Sequence, residues 1–235
     1  MRPIPALAAM CLALCAPAWP QANPVLAEES LTYNVNWPSG LSLGEVQLKA
    51  AKAVAGEGSG AGWNLEFVLD AAVPGFTVAD RYSSAASAEL CSVRFGKEVS
   101  RNGRTASEQT RFGQAAGTAT RETLGGGSST FSIGPCARDA LAFLYHLRSE
   151  LSQGRLPPPQ TVYFGAAYQV RLEFAGRQRV TAGDQQFEAD RITASVKGAA
   201  SQISFEMFFA QDRTRRPLLV SIPLSLGVFA MELVP

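Results

Sequence analysis

The sequence predicts a mainly β protein: a large, curved antiparallel sheet, half-barrel or sandwich, packed on one α-helix. Three observations carry this. Apolar residues alternate with polar ones at period two through nearly all of the chain after residue 30. A single stretch has helical spacing, and an Asn-Gly pair sits between two alternating runs as a tight hairpin turn.

Along the chain, Tyr33, Val35 and Trp37 face one way while Thr32, Asn34 and Asn36 face the other. Val46 and Leu48 alternate with Glu45, Gln47 and Lys49. After a Gly-rich turn at 56–62, Trp63, Leu65, Phe67 and Leu69 oppose Asn64, Glu66 and Asp70. Asn102-Gly103 then fixes a register, because a two-residue type I′ loop leaves no slack. Arg101 opposes Arg104, Val99 opposes Ala106, Lys97 opposes Glu108 and Val93 opposes Phe112. Val93, Phe95, Val99, Ala106 and Phe112 share the apolar face of that hairpin. A turn at 113–116 leads into 118–124; pairing Phe112 with Gly117 sets Arg121 beside Glu108. Lys97, Glu108 and Arg121 then form a charged row across three strands, on an otherwise apolar face.

The helix is expected over 138–152, capped by Asp139 or a neighbour. Leu141, Phe143, Leu144, Leu147 and Leu151 spread around much of its circumference, as in a helix packed on a sheet. Gly154 is a natural C-terminal stop, and Pro157-Pro158-Pro159 forbids continuation. Tyr168, Val170, Leu172 and Phe174 make the next inward face, followed by Ile203, Phe205, Met207 and Phe209. The last strand is 226–234, with Phe229, Met231 and Leu233 inward.

Residues 1–27 read as a secretory signal peptide, leaving 28–235 as a single β-rich domain. Arg2 precedes an apolar run over 4–14, too short to span a bilayer, which takes roughly 20 residues. Small residues place the cut after Ala22 or Ala27; the Glu28-Glu29 pair that follows favours Ala27. Cys11 and Cys15 follow bulky residues and fit a lipid-anchor site poorly. The expected location is the periplasm, or secreted outside the cell, with no transmembrane segment in the mature chain.

Removing Arg2 from the 21 basic residues leaves 20, against 20 acidic ones. A chain neutral in sum gives no electrostatic reason to expect nucleic acid or an anionic membrane surface as partner. Two cysteines remain, Cys91 and Cys136, and in an oxidising compartment they are expected to pair. The loop that they close, about 45 residues, gives on the order of 4 kcal/mol by chain entropy.

No catalytic, metal or nucleotide motif is present, and no cofactor is implied. His146 is the lone histidine, with neither G-x-S-x-G nor S-x-x-K to accompany it. The run 125–129 (GGGSS) lacks the following helix that a phosphate cradle needs. Lys97, Glu108 and Arg121, with Asp80, Arg81 and Tyr82, are the candidate ligand-binding residues: charges on an apolar face must pair, reach the rim or line a cavity. Arg213, Arg215 and Arg216 with Asp212 read as a basic hairpin turn, with anion binding the alternative.

Leu31-Thr32-Tyr33 with Trp37 and Gly44, Asp80-Arg81-Tyr82, the helix from Asp139 to Arg148, Gly165 to Tyr168, Phe208-Phe209-Ala210 and Arg216-Pro217-Leu218 together resemble a group of exported bacterial proteins, domain of unknown function 3108. Gly227 and Glu232-Leu233 continue the likeness. The resemblance implies an exported domain with a curved antiparallel sheet around one helix, and no reaction. Two functions follow as expectations. One is a non-catalytic envelope protein, binding an apolar or amphiphilic ligand or serving as an assembly partner to another envelope protein. The other is a periplasmic hydrolase acting through carboxylates such as Glu108 or Asp80, which requires two acids converging in a cleft.

Overall fold

A computed structural model describes residues 26–53, 62–73, 75–224 and 227–235. Most of the leader, the Gly-rich turn except Gly62, and Leu226 lie outside the described residues. Among the described residues fifteen strands form one continuous sheet: β1 (Glu29–Asn36), β2 (Ser42–Lys52), β3 (Gly62–Val73), β4 (Phe76–Ser87), β5 (Ser92–Arg101), β6 (Arg104–Gly113), β7 (Thr118–Thr123), β8 (Ser128–Ser132), β9 (Arg138–Asp139), β10 (Gln160–Tyr163), β11 (Ala167–Ala182), β12 (Gln185–Lys197), β13 (Gln202–Ala210), β14 (Pro217–Leu224) and β15 (Gly227–Val234). Helix α1 (Ala140–Ser152) interrupts them. The spatial order runs from β8 down to β1, then from β15 down to β9. Every neighbour pair is antiparallel except β9–β10.

Asn102 and Gly103 both have positive φ, 50° and 77°, as a type I′ turn demands. The register that follows is the expected one, with Arg101 opposite Arg104, Val99 opposite Ala106 and Lys97 opposite Glu108. Register shifts interrupt period two in the β1–β2, β4–β5, β11–β12 and β13–β14 ladders, and two of them turn expected inward residues outward. The β4–β5 ladder shifts between Ala85 and Ala86, so Val93 stands unpaired and exposed rather than inward with Phe95. The β11–β12 ladder shifts between Phe174 and Gly176, and Phe174 is exposed beside it rather than in the core.

So long a twisted sheet must curl, and its two ends meet through side chains. Tyr163 on β10 stacks with Phe131 on β8 and meets Phe112 on β6 edge-on, with ring centroids 5.6 and 5.7 Å apart. Ser92 N–H donates to the Ala137 carbonyl at 2.9 Å, and the Gln114 amide bonds both backbone groups of Ala137. The result is a barrel-like coil of one sheet rather than a sandwich.

Helix α1 fills the concave side. It starts two residues later than expected, because Arg138 and Asp139 pair with β10 and Asp139, in extended backbone, is the cap. It ends in a Schellman motif: Arg155 N–H reaches the Glu150 carbonyl and Gly154 N–H the Leu151 carbonyl, with Gly154 at φ +76°. One flank, Leu141, Ala142 and Tyr145, packs with Tyr33, Leu48, Leu65 and Phe95. The other, Phe143, Leu147 and Leu151, packs with Val170, Ile192, Met207 and Phe209. Each fully buried Leu there contributes roughly 1.5–3 kcal/mol. The disulfide Cys91–Cys136 ties the start of β5 to the segment entering the helix, with Cα atoms 4.7 Å apart.

Candidate functional site

The inward face of β4 to β7, between the helix and the β5–β6 hairpin tip, carries the polar groups singled out above. Asp80 is buried and takes a two-pronged grip from Arg101, with Nη2 to Oδ2 at 2.9 Å. Tyr82 donates its hydroxyl to the same carboxylate at 2.8 Å. Burial and that carboxylate push the Tyr82 hydroxyl well above the usual tyrosine range, and Asp80 pushes Arg101 up. Arg81, between them in sequence, points to the opposite face. It lies 3.9 Å from exposed Asp70 and lines a groove of about 410 Å³ that also touches Tyr82, Lys97 and Glu108, with Glu66, Glu98 and Gln109 on its walls. The Asp80-Arg81-Tyr82 run is therefore split between two surfaces by strand alternation.

Lys97 and Glu108, cross-strand partners, sit 3.4 Å apart and half-buried. Arg121 is not the third member of a row. The 3₁₀ turn at Gln114–Ala116 and left-handed Gly117 set the register two residues off, so that Phe112 meets Ala119, Glu108 meets Thr123 and Arg121 meets Thr110. Arg121 instead donates to the Gly165 carbonyl in the β10–β11 turn. That turn presses into the site: a Cβ on Gly165, at φ +72°, would stand 2.1 Å from Glu108 Oε1. Its neighbour Phe164 covers the charges, edge-on to Tyr82 at 4.9 Å and with Lys97 Nζ 4.8 Å from its ring centre. Four of the six candidate residues thus fall in two ion-paired clusters beside Phe164, Arg121 is held by a turn carbonyl, and Arg81 is exposed.

Three further buried polar clusters join residues far apart in sequence. Asp139 accepts from the Leu141 and Ala142 amides through Oδ1 and from the Ser84 and Ser92 hydroxyls through Oδ2, at 2.5–3.0 Å. Burial raises its carboxyl pKa against the pull of these four donors. Arg148 on the helix is buried against Glu29 of β1, adds the Thr214 carbonyl at 2.9 Å, and lies over the Tyr145 ring. Asp190 gathers Arg177, Gln211 and Arg215. Arg215 adopts φ +48° to do so, while Asp212 takes the Thr214 and Arg215 amides and lies 3.6 Å from Arg216. Of the expected basic turn, Arg216 is thus paired within the turn and Arg215 with Asp190 of β12.

His146 is half-buried, and desolvation together with Arg138 lowers its pKa to about 4. Among the described residues no three His, Cys, Asp or Glu side chains are grouped to hold a metal ion. No described helix is long and apolar enough to cross a membrane.

A family model described as protein of unknown function (DUF3108) matches residues 32–234. The chain belongs to this family. A solved structure, the β-barrel-like protein of domain of unknown function DUF1849 from Brucella abortus, superposes with TM-score 0.60 at 11% identity, covering 89% of this chain and 96% of that one. It establishes shared fold alone. No curated protein matches. The DUF3108 resemblance read from Tyr33, the Asp139–Arg148 helix and Phe208-Phe209-Ala210 is thus correct.

Proposed function

We propose that this DUF3108 chain is an exported, non-catalytic envelope protein with a structural or assembly role, processed after Ala27 and stabilised by its disulfide in an oxidising compartment. One observation carries the reading: the concave side that would hold a ligand or a reaction is filled, and its acids are matched. Helix α1 and the Tyr82–Phe95–Phe164 aromatics occupy the space. Asp80 is held by Arg101 and Tyr82 and Asp139 by four donors, while Glu108 is ion-paired with Lys97 at 3.4 Å, its buried Oε1 making no hydrogen bond among the described residues. A general acid and a nucleophile or base need carboxylates aimed into a cleft at substrate; these are aimed at their partners. The disulfide fits export, since such bonds persist where thiols are not kept reduced.

Native mass spectrometry of the protein recovered from its own envelope fraction tests this. The expected spectrum is the chain without residues 1–27, bare or with another envelope protein. A stoichiometric small amphiphile would replace the structural role by carriage. Recovery only from the cytoplasm, with the leader intact, would overturn export.

A further inference from the structure

Antiparallel pairing sends successive hairpin tips to alternate ends of the coil. The tips between β1 and β2, β3 and β4, β5 and β6, β7 and β8, β10 and β11, β12 and β13, and β14 and β15 all lie on one rim. Among the described residues eight large apolar side chains are exposed, and five of them stand on that rim: Leu41 (66%), Phe76 (42%), Leu124 (84%), Leu224 (51%) and Val228 (51%). Trp37 joins them, edge-on to Phe229 at 4.9 Å. The segments forming these seven tips (37–41, 73–76, 101–104, 123–128, 164–166, 197–202 and 224–227) contain no acidic residue and three basic ones, Arg101, Arg104 and Lys197. Arg101 is spent on Asp80; among the described residues Arg104 and Lys197 make no ion pair. The tips at the other end mix signs: Glu89, Asp184 and Asp212 stand there with Arg213, Arg215 and Arg216.

We infer that this rim docks on the surface of an anionic lipid bilayer, its apolar tips entering the headgroup boundary and its cations meeting lipid phosphates. Scattered apolar side chains on a surface need no explanation, but their concentration on protruding tips of one acid-free rim does. A core would gather them inward. A protein partner would be expected to match acids as well as bases, whereas a phosphate-rich plane selects against acids alone. Trp37 has the amphipathic ring favoured at such a boundary. The chain's neutral total does not oppose this, because the seven tips of this rim hold bases and no acid.

The test is flotation of the purified mature chain with vesicles of phosphatidylethanolamine and phosphatidylglycerol, compared with phosphatidylcholine alone. The mature chain holds two tryptophans, Trp37 on the rim and Trp63 in the core, so a blue shift of emission on binding reports Trp37. The wild type floats with the anionic vesicles, less so as salt rises. Leu41→Ser, Leu124→Ser and Leu224→Ser combined weaken binding at least about tenfold, and so does Arg104→Glu with Lys197→Glu, which removes no apolar group. Phe174→Ser, an exposed apolar residue away from the rim, binds as wild type. Failure of the wild type to float, equal loss in Phe174→Ser, or unchanged binding by the variants with matched unfolding midpoints overturns the inference, as does binding that needs a co-isolated protein. The inference takes its setting from the envelope reading. Vesicle binding by a chain found only in the cytoplasm would sink export, whereas an exported chain that does not float would sink the docking rim alone.

Discussion

Asp139→Ala offers a sharp probe of how the helix is held to the sheet. The carboxylate serves two amides at the helix start and two hydroxyls, Ser84 on β4 and Ser92 on β5, all of them buried. Losing the cap costs about 1 kcal/mol. Stranding two buried hydroxyls adds about 1–3 kcal/mol each. Part of this is returned because a desolvated charge, whose pKa burial has raised, is no longer folded in. The expected net loss is about 3–5 kcal/mol, read from urea unfolding with an unchanged denaturant slope. Asp139→Asn keeps an acceptor for the amides and should lose about half as much. The raised pKa also fixes a pH trend. Relative to Asp139→Asn, the wild type is most favoured below the unfolded carboxyl value and loses that advantage as pH rises through the folded one. A loss below about 1 kcal/mol for Asp139→Ala would refute the reasoning, since the hydroxyls would then have found other partners.

Other outcomes follow from the same physics. His146 is lowered to about 4 from an ordinary 6.5, so it stabilises the fold above pH 6.5 and that contribution is lost as pH falls through about 4. His146→Gln should flatten the acid limb of stability by about 1–2 kcal/mol, after discounting for a half-exposed ring; an unchanged limb contradicts this. Arg148→Met leaves Glu29 buried without its cation and should cost about 3–5 kcal/mol, most of it recovered in the double variant with Glu29→Gln. No recovery in that double-mutant cycle would mean the pair is not coupled. Gly165→Ala forces a Cβ onto Glu108 at a left-handed position and should cost about 1–3 kcal/mol by thermal unfolding. Glu108→Ala in the same chain should restore only the steric part, and full restoration would show that backbone conformation carries no cost.

Local signals in the sequence were sufficient for local structure. Asn102-Gly103 sets a turn and a register, Gly154 stops the helix, and alternation marks most strands, because each is decided by neighbouring residues. Alternation fails where a bulge resets parity, which no composition announces; Val93 and Phe174 are exposed for this reason. Arg121 is misplaced for a similar reason: the number of residues that a turn consumes depends on its geometry, here a 3₁₀ turn with left-handed Gly117. Pairings across the coil are least legible. Glu29 reaches Arg148 over 119 residues and Tyr33 donates to the Pro217 carbonyl over 184, and nothing beside either residue encodes its partner. The segregation of acids from one rim was also hidden, since a summed charge discards position.

The most direct measurement is the intact mass of the protein isolated from its own organism without reductant, then denatured and treated with a thiol alkylator. The expected species is a chain beginning at Glu28, lighter by two hydrogens than its reduced form and taking up no alkyl group, because Cys91 and Cys136 are joined. A chain retaining residues 1–27, or one that gains two alkyl groups, would contradict it.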